Sequence, residues 1–356
     1  MSSLQMISYG PLAIHDSGAP VGVEKYTTVV ILHGLAFHSG TFAPMLKYAH
    51  KHRARIVLVN RRGYPGSKPY TDEEMAQLKL AQDAGSGAEG AAAVRLHLQT
   101  RVCEVNQLLA TFIAKEGITK EGGIVLAGWS LGVIYVNAFL AYAPTIPVGE
   151  VDVGSYIKRV VVHDAPDNCM GYPRFEGGYN PLMDPSLPPG EGAKRFPAWV
   201  SAYYKHGPSL SSLEGRHPLP TPSSTLLSLT EDEMNGIIHP PAGEMDGADM
   251  MLAMIGLVGG LTREVRRQAV VPPPEVEGRW REVPYRHVWG EHSHWMIPSS
   301  QFALEKEVEE ARKEGLDVRR VEAIQLKGAN HFASWDHPEQ LLQAFIESDA
   351  TKVDVL

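Results

Sequence analysis

The sequence predicts an α/β fold: a mostly parallel sheet covered by helices on both faces, with a helical insertion carried between two of its strands. Three observations predict it. Short apolar, β-branched runs alternate with segments of helical spacing, the pattern of a parallel sheet buried on both faces. One of those runs ends in Gly128-Trp129-Ser130-Leu131-Gly132 and passes straight into a second apolar segment, which places a serine on a tight strand-to-helix turn. From Ala165 to Arg281 the alternation stops and proline and glycine become frequent, then strand periodicity returns.

Thr27–Leu32 is read as a strand and ends at His33-Gly34. Helical spacing follows from Thr41 to His52 at Phe42, Met45, Leu46 and Ala49. Arg55–Asn60 is the next strand, and Arg61–Ser67 the turn after it. Asp83–Gly90, rich in glycine and alanine, reads as a flexible loop before a long helix from Ala91 to Lys115. Gly123–Ala127 is the strand that delivers Ser130, and Val133–Tyr142 the helix that leaves it. Arg159–His163 is another buried strand. Candidate helices of the insertion are Phe196–Tyr204 and the very apolar Ala248–Leu261. Tyr285–Trp289 and Arg320–Leu326 complete the strands, and a helix with Leu341, Leu342 and Phe345 on its apolar face closes the chain.

With 356 residues, 44% of them hydrophobic, the chain can fill one large core plus an insertion. No run of about 18 apolar residues suggests a membrane span. A net charge of -8 without a basic face speaks against nucleic-acid binding. Two cysteines, Cys103 and Cys169, are too few for a disulfide framework and read as reduced thiols. Met1–Gln5 opens no signal sequence and Lys352–Leu356 matches no address tag, so the expected compartment is cytoplasmic. The expected partner is a small molecule; the sequence leaves the oligomeric state open.

A serine hydroxyl is a poor nucleophile until a base takes its proton, and that base must be oriented by an acid. Glycines on both sides of Ser130 allow the strained turn that lifts its hydroxyl clear of the sheet. His331, in Lys327-Gly328-Ala329-Asn330-His331-Phe332 directly after the last strand, is the candidate base among 15 histidines. These motifs resemble those of the α/β-hydrolase superfamily, over about Val29 to Ile346, and within it a capped serine hydrolase. The resemblance implies Ser130 as nucleophile and oxyanion donors at the amides of Leu35, after His33-Gly34, and of Leu131. Arg62–Ser67 resembles the family's R-G-x-G-x-S turn, with Asn60 where an aspartate often stands; the turn is expected to close a strand-helix connection.

Three carboxylates compete for the acid. In most family members it follows the penultimate strand in a G-x-x-D context, but Gly290-Glu291-His292-Ser293 holds a serine at that position and Glu291 out of register. Asp164 lies at the end of the strand after the nucleophile helix, where some members carry the acid. His163-Asp164-Ala165-Pro166 is similar to the His-Glu-x-Pro of fungal zearalenone-type lactonases. Asp164 is preferred, Glu291 is the alternative, and Asp167 a third candidate. Glu291, His292, His294 and His287 carry ligand-type side chains at short spacing but match no zinc pattern, so no metal and no cofactor are expected.

The expected domains are a core of residues 1–164 and 282–356 and a cap of residues 165–281. Phe196, Trp199, Tyr203, Tyr204, Met250, Met251 and Met254 of the cap either line an apolar pocket or form its own small core. The pocket expectation rests on Trp199, Tyr203 and Met251. The sequence thus implies a Ser-His-Asp carboxylic ester hydrolase (esterase or lactonase) working through an acyl-enzyme. A lyase or cyclase of the same fold, or a ligand-binding protein on that scaffold, is the alternative. Serine at the turn argues against dehalogenases and epoxide hydrolases, which use aspartate there.

Overall fold

A computed structural model describes residues 5–85, 87–258 and 260–348. The two terminal segments that bear on targeting lie outside the described residues, apart from Gln5. Eight strands form one sheet: β1 (Met6–Tyr9), β2 (Leu12–Asp16), β3 (Thr27–Leu32), β4 (Ala54–Asn60), β5 (Ile124–Trp129), β6 (Ile157–His163), β7 (Tyr285–Gly290) and β8 (Val321–Leu326). Their order is β1-β2-β4-β3-β5-β6-β7-β8. β3 to β8 run parallel, while β1 and β2 form an antiparallel hairpin at the edge beside β4. That hairpin escaped the sequence reading because its strands are short, although Gly10-Pro11 between alternating residues marks its turn. Strand order reverses between β3 and its neighbours β4 and β5, so the crevice at the carboxyl ends of β3 and β5 is where such sheets bind ligands.

Alternate residues of each parallel strand feed two separate cores. Val30, Leu32, Leu126, Val160 and Val162 face one layer, and Val29, Ile31, Val125, Ala127 and Val161 the other. α1 (Asp72–Ala84), α2 (Ala88–Glu116) and α3 (Gly132–Tyr142) cover the first face. The 3-10 turns of Ser39–Tyr48 cover the second, together with the last helices of the chain. Each fully buried Leu, Ile or Phe contributes about 1.5–3 kcal/mol relative to leaving it in water.

Two expectations change here. The loop expected over Asp83–Gly90 is mostly helix, because α1 runs to Ala84 and α2 starts at Ala88. Thr71-Asp72-Glu73-Glu74 starts α1 with a capping box, Glu74 N donating to Thr71 Oγ1 and Thr71 N to the Glu74 carboxylate. The segment expected as a helix from Thr41 is built of 3-10 turns, with Pro44 inside.

Between β6 and β7 lie α4 (Glu191–Val200), α5 (Glu231–Asn235), α6 (Ala248–Val258), α7 (Gly260–Val270) and α8 (Gly278–Glu282). Leu261, Val265, Ala269 and Val270 of α7 join the core against α3, and Arg95 of α2 pairs with Glu264 at 3.2 Å. α7 is therefore the crossover helix that the parallel β6-β7 pair needs. α9 (Met296–Lys313), α10 (Ala333–Asp336) and α11 (Pro338–Ile346) follow β7 and β8. Among the described residues no single helix is long and apolar enough to cross a membrane.

Candidate active site

The carboxyl ends of β3, β5, β6, β7 and β8 converge on one cavity of about 280 Å³, lined by Leu35, Ser130, Leu131, His294 and His331 among others. Ser130 has a φ of 53°, a left-handed conformation that a side chain adopts only where the surroundings hold it. They do so closely. A Cβ at Gly132 would stand 2.6 Å from the carbonyl oxygens of Leu32 and His33, and one at Gly128 would stand 2.5 Å from Gly132 O. A Cβ at Gly34 would meet the Ser130 Cβ at 3.0 Å, so the loop after β3 can approach the serine only as glycine. Ser130 N donates to His163 O at 3.0 Å, which ties the turn to the neighbouring strand end.

Asp164 also has a positive φ, of 44°, and is fully buried. Its Oδ2 lies 3.0 Å from His331 Nδ1 and accepts from Ser293 Oγ at 2.6 Å, while Oδ1 accepts from Gly290 N at 2.7 Å. Burial alone would raise its pKa. The His331 hydrogen bond, the charges of His163 and His331, and the Ser293 hydroxyl outweigh burial and hold the carboxyl below its ordinary value. Ser293, which stands where the family pattern has its aspartate, thus donates to the carboxylate that comes from β6 instead.

Glu291 does not reach this cluster. Its Oε2 accepts from Gly328 N at 2.8 Å, while His331 Nδ1 faces Asp164, so the alternative acid is corrected to a loop-bracing carboxylate. Asp167 is also buried but turns away, its Oδ1 accepting from Asn168 N at 2.8 Å. Burial pushes the Asp167 carboxyl up to about 7, against the backbone amides and Arg174.

His331 is 2% exposed and is packed by rings: Trp129 at 5.0 Å, Phe332 at 5.8 Å and His294 edge-on at 4.7 Å. Trp129 Nε1 donates to His331 O at 3.0 Å. Asn330 fastens the same loop to the insertion, its Nδ2 donating to Ser201 O at 2.6 Å and to Thr225 Oγ1 at 2.8 Å. His294 lines the cavity, as a substrate-lining loop histidine would. It lies against Trp199, with ring centroids 4.9 Å apart, and burial and then the neighbouring His331 hold its pKa well below 6.5. The other histidines at short spacing diverge: His287 Nδ1 bonds Gln301 Oε1 at 2.5 Å and His292 Nδ1 bonds Tyr204 O at 2.8 Å. Among the described residues no group of three or more His, Cys, Asp or Glu side chains converges as metal ligands do.

The walls of the cavity are apolar, with Phe196, Trp199, Met250, Met254 and Met296 prominent. Leu182, Met183 and Met245 are 41%, 46% and 70% exposed and also line it, so they form the rim of its mouth. Of the three expected pocket residues only Trp199 is in place. Tyr203 is turned to Asp336, its hydroxyl donating to Oδ2 at 2.7 Å, and Met251 packs into the core while Met250 and Met254 of α6 line the cavity. Cys169 lines the cavity as a buried free thiol raised by burial, and Cys103 is exposed.

Within the turn after β4, Asn60 and Ser67 tie the connection together and to β2. Ser67 Oγ donates to Asn60 O at 2.6 Å and accepts from Ala13 N at 2.8 Å. Asn60 Nδ2 donates to Pro65 O at 2.8 Å, a bond that an aspartate could not make.

The family model described as "Alpha/beta hydrolase family" matches residues 29–344. This chain belongs to that family. A single-residue variant of the epoxide hydrolase from Solanum tuberosum shares the fold of this family member with a TM-score of 0.51, at 14% identity, over 95% of each chain. The thioesterase domain from the curacin biosynthetic pathway gives 0.50 at 13% identity, over 96% of this chain and 98% of the other. An epoxide hydrolase from Vigna radiata gives 0.50 at 12% identity, over 97% and 96%. At these identities the likeness concerns the fold. No curated protein matches the sequence significantly.

Proposed function

We propose that this alpha/beta hydrolase is a serine hydrolase of carboxylic esters or lactones, with Ser130, His331 and Asp164 as its triad. The observation that carries the reading is the His331–Asp164 pair at 3.0 Å in the same cavity as Ser130, whose backbone is held in a left-handed turn. Ser130 Oγ attacks the carbonyl carbon while His331 Nε2 takes its proton. Asp164 holds the imidazole by Nδ1 and stabilises its charged form. The amides of Leu35 and Leu131 receive the oxyanion. His331 then gives the proton to the leaving alkoxide, and water, deprotonated by the same imidazole, cleaves the acyl-enzyme. With a lactone the leaving alcohol stays on the acyl group, and the product is a hydroxy acid. The serine sets this chemistry apart from epoxide hydrolases, for which the family pattern implies an aspartate at the same turn.

The cap in this reading stops before Gly260, since α7 belongs with α3, and residues 165–258 set specificity around the apolar walls. Two unpaired thiols suit a cytoplasmic setting. Ser130→Ala should lower kcat toward p-nitrophenyl acetate by ~10^3-fold or more, because the triad acts as a unit. Mass spectrometry after fluorophosphonate treatment should find the label on Ser130 of the wild type and on no residue of the variant. A folded variant that keeps most of its esterase activity would remove the assignment.

A further inference from the structure

The peptide joining Gly34 to Leu35 is gripped on the side away from its amide. In a trans peptide the carbonyl and the N–H lie in one plane and point in opposite directions, so whatever fixes Gly34 O aims the Leu35 amide. Arg61 Nη2 donates to Gly34 O at 2.9 Å and His33 Nδ1 donates to it at 3.0 Å. Arg61 Nε holds His33 O at 3.1 Å. One residue on, Ala36 has a φ of 59°, and its amide donates to the Tyr64 hydroxyl at 2.9 Å.

Arg61 and Tyr64 both answer to one carboxylate, which comes from the insertion. Asp249, on α6, accepts from Arg61 Nη1 at 2.8 Å and Nη2 at 2.5 Å, and from the Tyr64 hydroxyl at 2.5 Å. Asp249 is 1% exposed and Arg61 4%. A guanidinium has five donors in a fixed fork. Two spent on Asp249 set the plane in which the others meet Gly34 O and His33 O. The Tyr64 hydroxyl has one proton; given to Asp249, it leaves the oxygen free to accept from Ala36 N. Without that acceptor the proton turns to Gly34 O, 3.4 Å away.

We propose that Asp249 is a positioning residue that, through Arg61 and Tyr64, aims the Leu35 amide at the oxyanion, so that docking of α6 and assembly of the oxyanion site are one event. The proposal rests on the serine-hydrolase reading above. α6 also presents Met250 and Met254 to the cavity, so the helix that senses the bound group is the helix that sets the donor. A separate backbone contact, His239 N to Ala36 O at 2.6 Å, holds the loop only from Ala36 onward. Anchoring of the insertion and aiming of the Leu35 amide are therefore separable.

The test compares Asp249→Asn and Tyr64→Phe with the wild type on p-nitrophenyl acetate and on a long-chain p-nitrophenyl ester. The rate of fluorophosphonate labelling is followed alongside. Misaiming an oxyanion donor should lower kcat on the acetate by about 10-fold or more in Asp249→Asn, toward the 10²-fold of a donor removed outright. A smaller fall is expected in Tyr64→Phe. KM for the acetate should stay near wild type, and the labelling rate should fall with kcat. Wild-type kcat and labelling in both variants, with only KM for the long ester raised, would make Asp249 a mere anchor and overturn the proposal. Should Asp249→Asn fail to fold, Tyr64→Phe decides, since it keeps the Arg61–Asp249 ion pair and removes the acceptor of Ala36 N together with the hydroxyl's bond to Asp249. Unchanged kcat and labelling there would overturn the proposal as well. A wild type that neither turns over esters nor labels removes the hydrolase reading, and this one with it.

Discussion

At the scale of single residues, the acid was the point on which the sequence was divided, and geometry separates its candidates. Asp164 has three donors around a buried carboxylate, one of them on His331, whereas Glu291 braces Gly328. Asp164→Asn should therefore lower kcat strongly while leaving some activity, and Glu291→Gln should stay near wild type, as steady-state kinetics on one activated ester would read. The reverse order would return the acid to the loop after β7. A sequence signal was available: Ser293 in place of the family's aspartate is the partner that a carboxylate displaced to β6 needs. Asp167 gives a pH prediction. Its carboxyl is raised to about 7, so between its unfolded value and 7 the folded state binds more protons than the unfolded one. Stability contributed by the neutral acid is present at low pH and lost as pH rises toward and past 7. The Tm difference between Asp167→Asn and wild type should then move in favour of the variant from pH 5 to pH 8. A difference that is flat across that range would assign Asp167 an ordinary carboxylate.

At the scale of elements, periodicity identified six strands and the long helices, because a buried strand and an amphipathic helix leave different spacings in the chain. It failed where an element is apolar on every side. Ala248–Leu261 carries methionines at 250, 251 and 254, and no spacing tells which face meets the core. In the fold, Leu252 and Ile255 join Met251 in the core while Met250 and Met254 meet the cavity. The break at Gly260, which sends α7 down onto α3, was equally hidden in an apolar run. Met254→Ala should change the ratio of kcat/KM between large and small esters, within the 1–3 kcal/mol that a lost apolar contact in a pocket is worth, roughly. Met251→Ala should leave that ratio alone and cost about 2–5 kcal/mol of stability, the usual range for a large core side chain cut to alanine. Melting curves beside a two-ester panel distinguish them. A selectivity change in Met251→Ala with stability kept would reverse the faces of α6.

At the scale of the whole molecule, the sheet was legible because apolar runs mark its strands, and the proposed Ser130, Asp164 and His331 each follow one of those runs at a strand end. What joins the insertion to the sheet was not legible, since the contacts are between residues far apart in sequence. Asn330 to Ser201 and Thr225, Tyr203 to Asp336, and Asp249 to Arg61 are the main ties, and all are buried or partly buried. They make the insertion unequal along its length. Gly243 is half-buried, and a Cβ there would meet the Ala36 Cβ at 2.9 Å, so the loop around it is backed by the core. Pro188, Pro189 and Gly190 are exposed, and a Cβ at Gly190 would meet nothing within 4 Å. Cleavage requires a backbone that can leave its surroundings, which favours exposed loops without buried ties. Brief digestion with a protease of broad specificity should therefore cut first between Asp184 and Gly190 and spare Gly243, as mass spectrometry of the earliest fragments would read. Because Leu182 and Met183 stand on the rim beside that loop, the nicked protein should keep turnover of p-nitrophenyl acetate and lose efficiency on bulky esters. First cuts in α7, or at Gly243, would mean that the insertion is not tied to the core in the way these contacts require.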